Sequence, residues 1–245
     1  ALITFLTVGD PNMEVSEKAI YTMQEEGVDL IELGVPFSDP AADGPVIQRA
    51  DERALAQGVD IFKVFELVRK IRNNVEVPMV FLLYYNVMVQ YGIEKFFKRC
   101  QETGVDGLII PDLPYEESDE IKEYTEKYGV YQISLVSPTS KDRIKNIAKD
   151  AKGFLYCISS LGVTGEKSSF VTNFDEFVGT IKKYTDVPAC VGFGVSNGRL
   201  VKELTKYFDG AIVGSAIVKS IATGESVEER INNLREKIKD LKSGL

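Results

Sequence analysis

Short runs of β-branched and apolar residues alternate eight times with segments of helical periodicity, and this alternation constrains the fold more than any other feature of the chain. A strand, a crossover helix and a second strand place the two strands parallel in one sheet. The runs that read as strands are Leu2 to Thr7, Leu30 to Leu33, Val80 to Leu83, Gly107 to Ile110, Tyr131 to Val136, Phe154 to Ile158, Ala189 to Gly192 and Ala211 to Val213. Helical patterns lie around Val15 to Glu26, Ile61 to Asn73, Ile93 to Thr103, Glu117 to Lys127, Lys141 to Lys149, Asn173 to Tyr184, Asn197 to Tyr207 and Val227 to Leu241. Three junctions echo one another: Gly27-Val28-Asp29-Leu30-Ile31, Gly104-Val105-Asp106-Gly107-Leu108-Ile109 and Phe208-Asp209-Gly210-Ala211-Ile212. Each ends a helix and opens a strand, with glycine marking the change. Eight units favour a closed (β/α)₈ TIM barrel over an open doubly wound sheet, which has fewer strands and reverses its order once. The 245 residues, 44% of them hydrophobic, suffice for the barrel and its helix layer as one catalytic domain over residues 1–245.

Composition removes several function classes. Lys and Arg total 29 against 37 Asp and Glu, a net charge of -8, and no basic stripe is present to track a nucleic acid backbone. The longest apolar stretches, Val77 to Leu83 and Ala211 to Val218, fall far short of the roughly 20 residues that cross a bilayer. No signal-peptide pattern precedes Gly9-Asp10-Pro11, and Cys100, Cys157 and Cys190 sit in apolar or helical contexts as reduced thiols. The expectation is a cytoplasmic protein. Histidine is absent, so proton transfer falls to Asp, Glu, Tyr, Lys or Cys, and no metal site is expected. None of the lysines lies inside a barrel strand, which disfavours Schiff-base chemistry.

In a barrel the chemistry belongs to the loops after the strands. Alternation along Leu30-Ile31-Glu32-Leu33 gives Ile31 and Leu33 to the helix layer and turns Glu32 into the barrel near its catalytic end. A carboxyl there is partly desolvated and can act as an acid or base near neutral pH; the competing reading is a structural glutamate paired with a lysine. Asp39 and Asp43 follow in the next loop, each beside Pro or Gly, and spacing alone does not choose between them or exclude simple turn roles. Gly162-Val163-Thr164-Gly165, Gly192-Phe193-Gly194 and Gly214-Ser215 follow three successive strands and read together as a phosphate cradle, with a helix starting at Ser215. Phe5, Tyr156 and Phe193 fall on strands or their ends and can stack on an aromatic substrate, although each such aromatic is more often core, and Tyr84 and Tyr85 carry the same ambiguity.

With these residues in view, the chain resembles the tryptophan synthase alpha-subunit family over its whole length. The resemblance rests on Gly9-Asp10-Pro11, the run from Glu32 through Pro40 continuing to Asp43-Gly44-Pro45, Asp112-Leu113-Pro114, Gly162-Val163-Thr164-Gly165, Gly192-Phe193-Gly194 and Gly214-Ser215-Ala216. It implies retro-aldol cleavage of indole-3-glycerol phosphate to indole and glyceraldehyde 3-phosphate. Indole then passes to a beta subunit that carries pyridoxal phosphate, in an alpha2-beta2 heterotetramer; no cofactor is implied for this chain. By the same resemblance, Glu32 is the general acid/base and Asp43 the carboxylate facing the indole nitrogen. Gly165, Gly194, Gly214 and Ser215 correspond to the phosphate site, Thr164 is a further substrate-binding residue, and Phe5, Tyr156 and Phe193 correspond to the indole pocket and its wall. Asp39, Tyr84 to Val89 and the loop at Asp112-Leu113-Pro114 resemble surfaces that meet the beta subunit.

Family members carry an extra helix before the first strand, covering the bottom of the barrel, whereas this sequence opens on Ala1-Leu2-Ile3-Thr4-Phe5. The departure bears on stability rather than catalytic identity. A free-standing lyase that releases indole is the alternative reading, and a catalytically silent barrel a third. The presence of both Glu32 and Asp43 argues against the third.

Overall fold

The computed structural model describes residues 1–140, 142–158, 174–192 and 194–245. Its strands are β1 (Leu2–Thr7), β2 (Leu30–Gly34), β3 (Met79–Leu82), β4 (Gly107–Ile109), β5 (Tyr131–Gln132), β6 (Ser134–Val136), β7 (Leu155–Ile158), β8 (Ala189–Gly192) and β9 (Gly210–Val213). All pair in parallel, in the order β5-β4-β3-β2-β1-β9-β8-β7-β6. The two ends of this order, β5 and β6, are separated in the chain only by Ile133. Its amide donates to the Leu108 carbonyl at 2.8 Å, while Ser134 to Val136 pairs with Leu155 to Cys157 of β7. The single strand expected over Tyr131 to Val136 thus passes its hydrogen bonding from β4 to β7 at one residue, and the ring closes with eight positions.

Side chains alternate across this ring as a two-residue period requires. Ile3, Val80, Ile109, Ile133, Tyr156, Cys190 and Ile212 pack together inside it. Leu2, Leu6, Ile31, Leu33, Phe81, Leu108, Leu155 and Val191 face outward under the helices. The helices are α1 (Met13–Glu25), α2 (Pro45–Ala56), α3 (Ile61–Ile71), α4 (Tyr85–Tyr91), α5 (Ile93–Thr103), α6 (Asp119–Tyr128), α7 (Arg143–Asp150), α8 (Phe174–Lys182), α9 (Gly198–Leu204), α10 (Ser215–Ala222) and α11 (Val227–Lys242). Of these, α2 and α4 were not expected, and only the start of α10 was. The reason is the thinness of the signal: α2 buries only Ala50, Asp51 and Ala54, and α4 only Met88. Among the described residues no helix is long and apolar enough to cross a membrane.

The three sequence echoes share one physical cause at the foot of the barrel. Asp29 accepts the Leu2 amide at 2.6 Å, Asp106 the Met79 amide at 2.8 Å, and Asp209 the Ala189 amide at 2.8 Å. Each aspartate opens its own strand and satisfies the first N–H of the neighbouring strand, which would otherwise be buried without a partner.

Candidate active site

At the carboxyl ends of the strands the barrel opens into a cavity of about 1160 Å³, lined by Phe5, Glu32, Asp43, Tyr156, Gly194, Gly214 and Ser215 among others. Seven of the ten site residues named from the sequence therefore meet in one space. Thr164, Gly165 and Phe193 lie outside the described residues.

Glu32 sits in β2 between Phe5 of β1 and Val80 of β3. It is 1% exposed, and its Oε1 has no hydrogen-bond partner among the described residues. Burial pushes its pKa up to about 8, because the charged form loses water without gaining a donor. The carboxyl is therefore largely protonated at neutral pH. One pleat further, the absence of a side chain at Gly34 makes room for the Phe5 ring, since a Cβ there would lie 2.5 Å from Phe5 Cζ. Gly192 does the same for Tyr156, whose ring atoms would lie 2.5 Å from its Cβ. Gly192 thus shapes the aromatic wall.

Asp43 closes the loop between β2 and α2, ahead of Gly44, which caps α2, and Pro45 at its first position. The Tyr84 hydroxyl donates to Asp43 Oδ2 at 2.7 Å and accepts the Ala42 amide at 2.9 Å. The Tyr84 ring stacks on Phe37, with centroids 5.0 Å apart. Burial raises the Asp43 pKa, and the Tyr84 hydrogen bond opposes this by favouring the carboxylate. Asp39 instead lies exposed and bonded to the Ser38 hydroxyl. Of the two aspartates that spacing left equal, Asp43 reaches the cavity.

Tyr84 corrects one expectation. Its side chain is 5% exposed and turned toward Asp43, so it is not part of an outward surface. Beyond it, the Tyr85 amide donates to Asp112 Oδ1 at 2.8 Å, joining two loops that the resemblance places toward a beta subunit. Val89 is 47% exposed there. The link between Tyr84 and Asp43 and a third buried carboxyl, Asp51 of α2, were missed in the sequence. A weak period in Val46-Ile47-Ala50-Ala54 was the available signal for α2 and hence for Asp51.

At the other side of the cavity, Gly214 caps α10 without a side-chain hydrogen bond. The first amides of a helix have no intrahelical acceptor and carry its positive dipole end, which suits an anion. Gly194, at φ +75°, takes a turn that other residues rarely adopt. Lys219 and Lys237 line the same cavity and contribute positive charge. Among the described residues, no group of three or more His, Cys, Asp or Glu side chains is placed to hold a metal ion.

A closed parallel barrel with a buried acid at a strand end, a second carboxylate facing the same cavity and a bare helix N-terminus defines a (β/α)₈-barrel enzyme. The family model for the tryptophan synthase alpha chain matches residues 1–245. The tryptophan synthase alpha chain of Alkaliphilus metalliredigens is 47% identical over 246 residues, covering 99% of this chain and 92% of its own length. Tryptophan synthase subunit alpha from Campylobacter jejuni has a TM-score of 0.87 at 40% identity, covering 97% of this chain and 95% of that one. The Mycobacterium tuberculosis tryptophan synthase structure in space group F222 gives 0.88 at 35% identity, covering 100% and 91%. The chain belongs to the tryptophan synthase alpha-chain family. It is a lyase of tryptophan biosynthesis that cleaves indole-3-glycerol phosphate, and the pyridoxal phosphate of tryptophan synthase belongs to the beta subunit.

Proposed function

We propose that Glu32 and Asp43 divide the proton work of this cleavage. Glu32, protonated at neutral pH, delivers its proton to indole C3. The ring nitrogen then carries positive charge, which the Asp43 carboxylate, hydrogen-bonded by Tyr84, stabilises. The Glu32 carboxylate next removes the proton from the glycerol hydroxyl on the carbon attached to C3. The carbon–carbon bond breaks, its electrons restore neutral indole, and the aldehyde leaves as glyceraldehyde 3-phosphate. Glu32 ends protonated, as it began. Phe5 and Tyr156 flank the indole ring, while Gly194, Gly214 and Ser215, with Thr164, Gly165 and Phe193, complete the substrate site. The observation that carries this reading is the buried oxygen of Glu32, partnerless among the described residues, in a cavity that also holds Asp43.

Residues 1–245 act in this reading as one catalytic domain in the cytoplasm, handing indole to a beta subunit in an alpha2-beta2 assembly. The direct test mixes the chain with indole-3-glycerol phosphate and follows indole, alone and across a titration with a beta subunit whose own site is disabled. Indole formation that rises and saturates with the partner is expected, since a partner that binds the closed form shifts the loops toward it. Full activity already present in the isolated chain, unmoved by the partner, indicates a free-standing lyase, and no indole in either arm overturns the reading.

A further inference from the structure

Asp51 has no place in the chemistry above, yet it is 4% exposed on α2, beside the active-site loop. Its Oδ1 accepts the Thr7 hydroxyl at 3.3 Å, from the end of β1, and the backbone amide of Phe37, in the β2–α2 loop, is near enough to favour its charged form. Phe37 in turn stacks on Tyr84, whose hydroxyl holds Asp43. One carboxyl thus sits beneath a chain of contacts that ends at the catalytic aspartate.

Among the described residues, the groups facing Asp51 supply no counterion. Asp43 and Asp10 add negative charge from the two flanking loops. Arg53, two residues further along α2, is committed to Asp10 in a bidentate pair, Nε to Oδ1 at 2.7 Å and Nη2 to Oδ2 at 2.9 Å. A buried carboxyl without a cation and with two like neighbours keeps its proton. Burial first, then Asp43, push the Asp51 pKa up to about 8.

We propose that Asp51 is a positioning residue for Asp43: a buried carboxyl that ties β1, the β2–α2 loop and α2 together and thereby sets the Phe37–Tyr84 stack that aims a hydroxyl at Asp43. The proposal rests on Asp43 being the carboxylate that serves the indole nitrogen. When Asp51 ionises, a second negative charge enters the network beside Asp43. Cleavage by the wild-type chain therefore depends on two protons being in place, one on Glu32 and one on Asp51.

The test is the alkaline limb of kcat/KM for indole-3-glycerol phosphate cleavage by the full chain. Loss of two protons makes the wild-type limb approach about a hundredfold per pH unit, and Asp51→Asn, which cannot ionise, reduces it to about tenfold. Asp51→Ala loses the anchor and about tenfold or more in kcat/KM at neutral pH, and Asp51→Asn recovers most of that loss. A limb for Asp51→Asn that superimposes on the wild type, or an alanine variant as active as the asparagine one, overturns the proposal. A carboxyl ¹³C titration covers a variant that folds poorly: the resonance missing from Asp51→Asn must titrate far above the usual Asp range in the wild type, and an ordinary Asp titration overturns the proposal. Asp43→Asn is measured alongside. If it cleaves like the wild type, the Asp43 reading fails; if it is inactive while the Asp51→Asn limb is unchanged, only the Asp51 role fails.

Discussion

The two ends of the barrel use the same residue type in opposite ways. At the foot, Asp29, Asp106 and Asp209 each accept a strand amide, and Asp106 and Asp209 also pair with Arg72 and Lys182. Burial pushes the Asp209 carboxyl up, but Lys182 and the Ala189 amide outweigh it and hold the group below its ordinary value. At the mouth, Glu32 keeps an oxygen without a partner among the described residues, and Asp51 faces acids rather than cations. Foot aspartates are satisfied by strand amides, so they stabilise the fold. Glu32 and Asp51 at the mouth are desolvated and hold protons near neutrality, which costs stability and supplies reactivity.

The sharpest break of this contrast is Glu32→Gln. Indole release should fall by about 10²- to 10⁴-fold, because the side chain keeps its size and loses its transferable proton. Stability should move the other way. The Glu32 pKa is raised by folding, so its stabilising contribution is complete below the ordinary value of 4.5 and is lost as pH rises to about 8. Glutamine does not titrate. The variant should therefore gain on the wild type across that window, by a few kcal/mol at its alkaline end. Denaturant titrations at acid and alkaline pH check this, and a difference independent of pH would sink it.

The foot should respond in reverse. Asp106→Ala strands the Met79 amide and removes the ion pair with Arg72, at a cost of roughly 1–3 kcal/mol of stability with cleavage unchanged in the folded fraction. A denaturation midpoint measured beside kcat/KM separates the two effects. Lost kcat/KM at unchanged stability would erase the distinction between foot and mouth.

A smaller effect sharpens the anion end of the mouth. A Cβ at Gly214 would meet Ile47 Cδ1 and Phe5 Cδ1 at 3.7 Å, ordinary contact distances. Gly214→Ala should bind glycerol phosphate nearly as the wild type does, whereas Gly214→Asp adds a negative charge at the helix end and should weaken binding about tenfold, or 1.4 kcal/mol. Calorimetric titration with glycerol phosphate reads both. Equal losses in the two variants would point to bulk rather than charge, and no loss in either would move the phosphate site elsewhere.

Much of this architecture is legible in local pattern. A two-residue period turns Glu32 inward and Ile31 and Leu33 outward without reference to any distant residue, and the structure keeps that assignment. The recurring aspartate before Leu30, Gly107 and Gly210 marks the repeated unit for the same reason, since each satisfies an amide that every parallel barrel presents. The choice of Asp43 over Asp39 was available only through the resemblance, because both sit in the same kind of turn.

What lay beyond local pattern depended on partners far along the chain. Tyr84 reaches Asp43 across 41 residues and Asp51 reaches Thr7 across 44, and neither hydrogen bond leaves a period or a spacing in the sequence. The seam at Ile133 is equally hidden, because one strand reads alike whether it bonds one neighbour or changes neighbours midway. Alternation is set by the geometry of a single strand, so residue order alone carries it. The proton affinity of a carboxyl is set by the water it loses and the charges it meets, and those exist only once separate loops close over the same cavity.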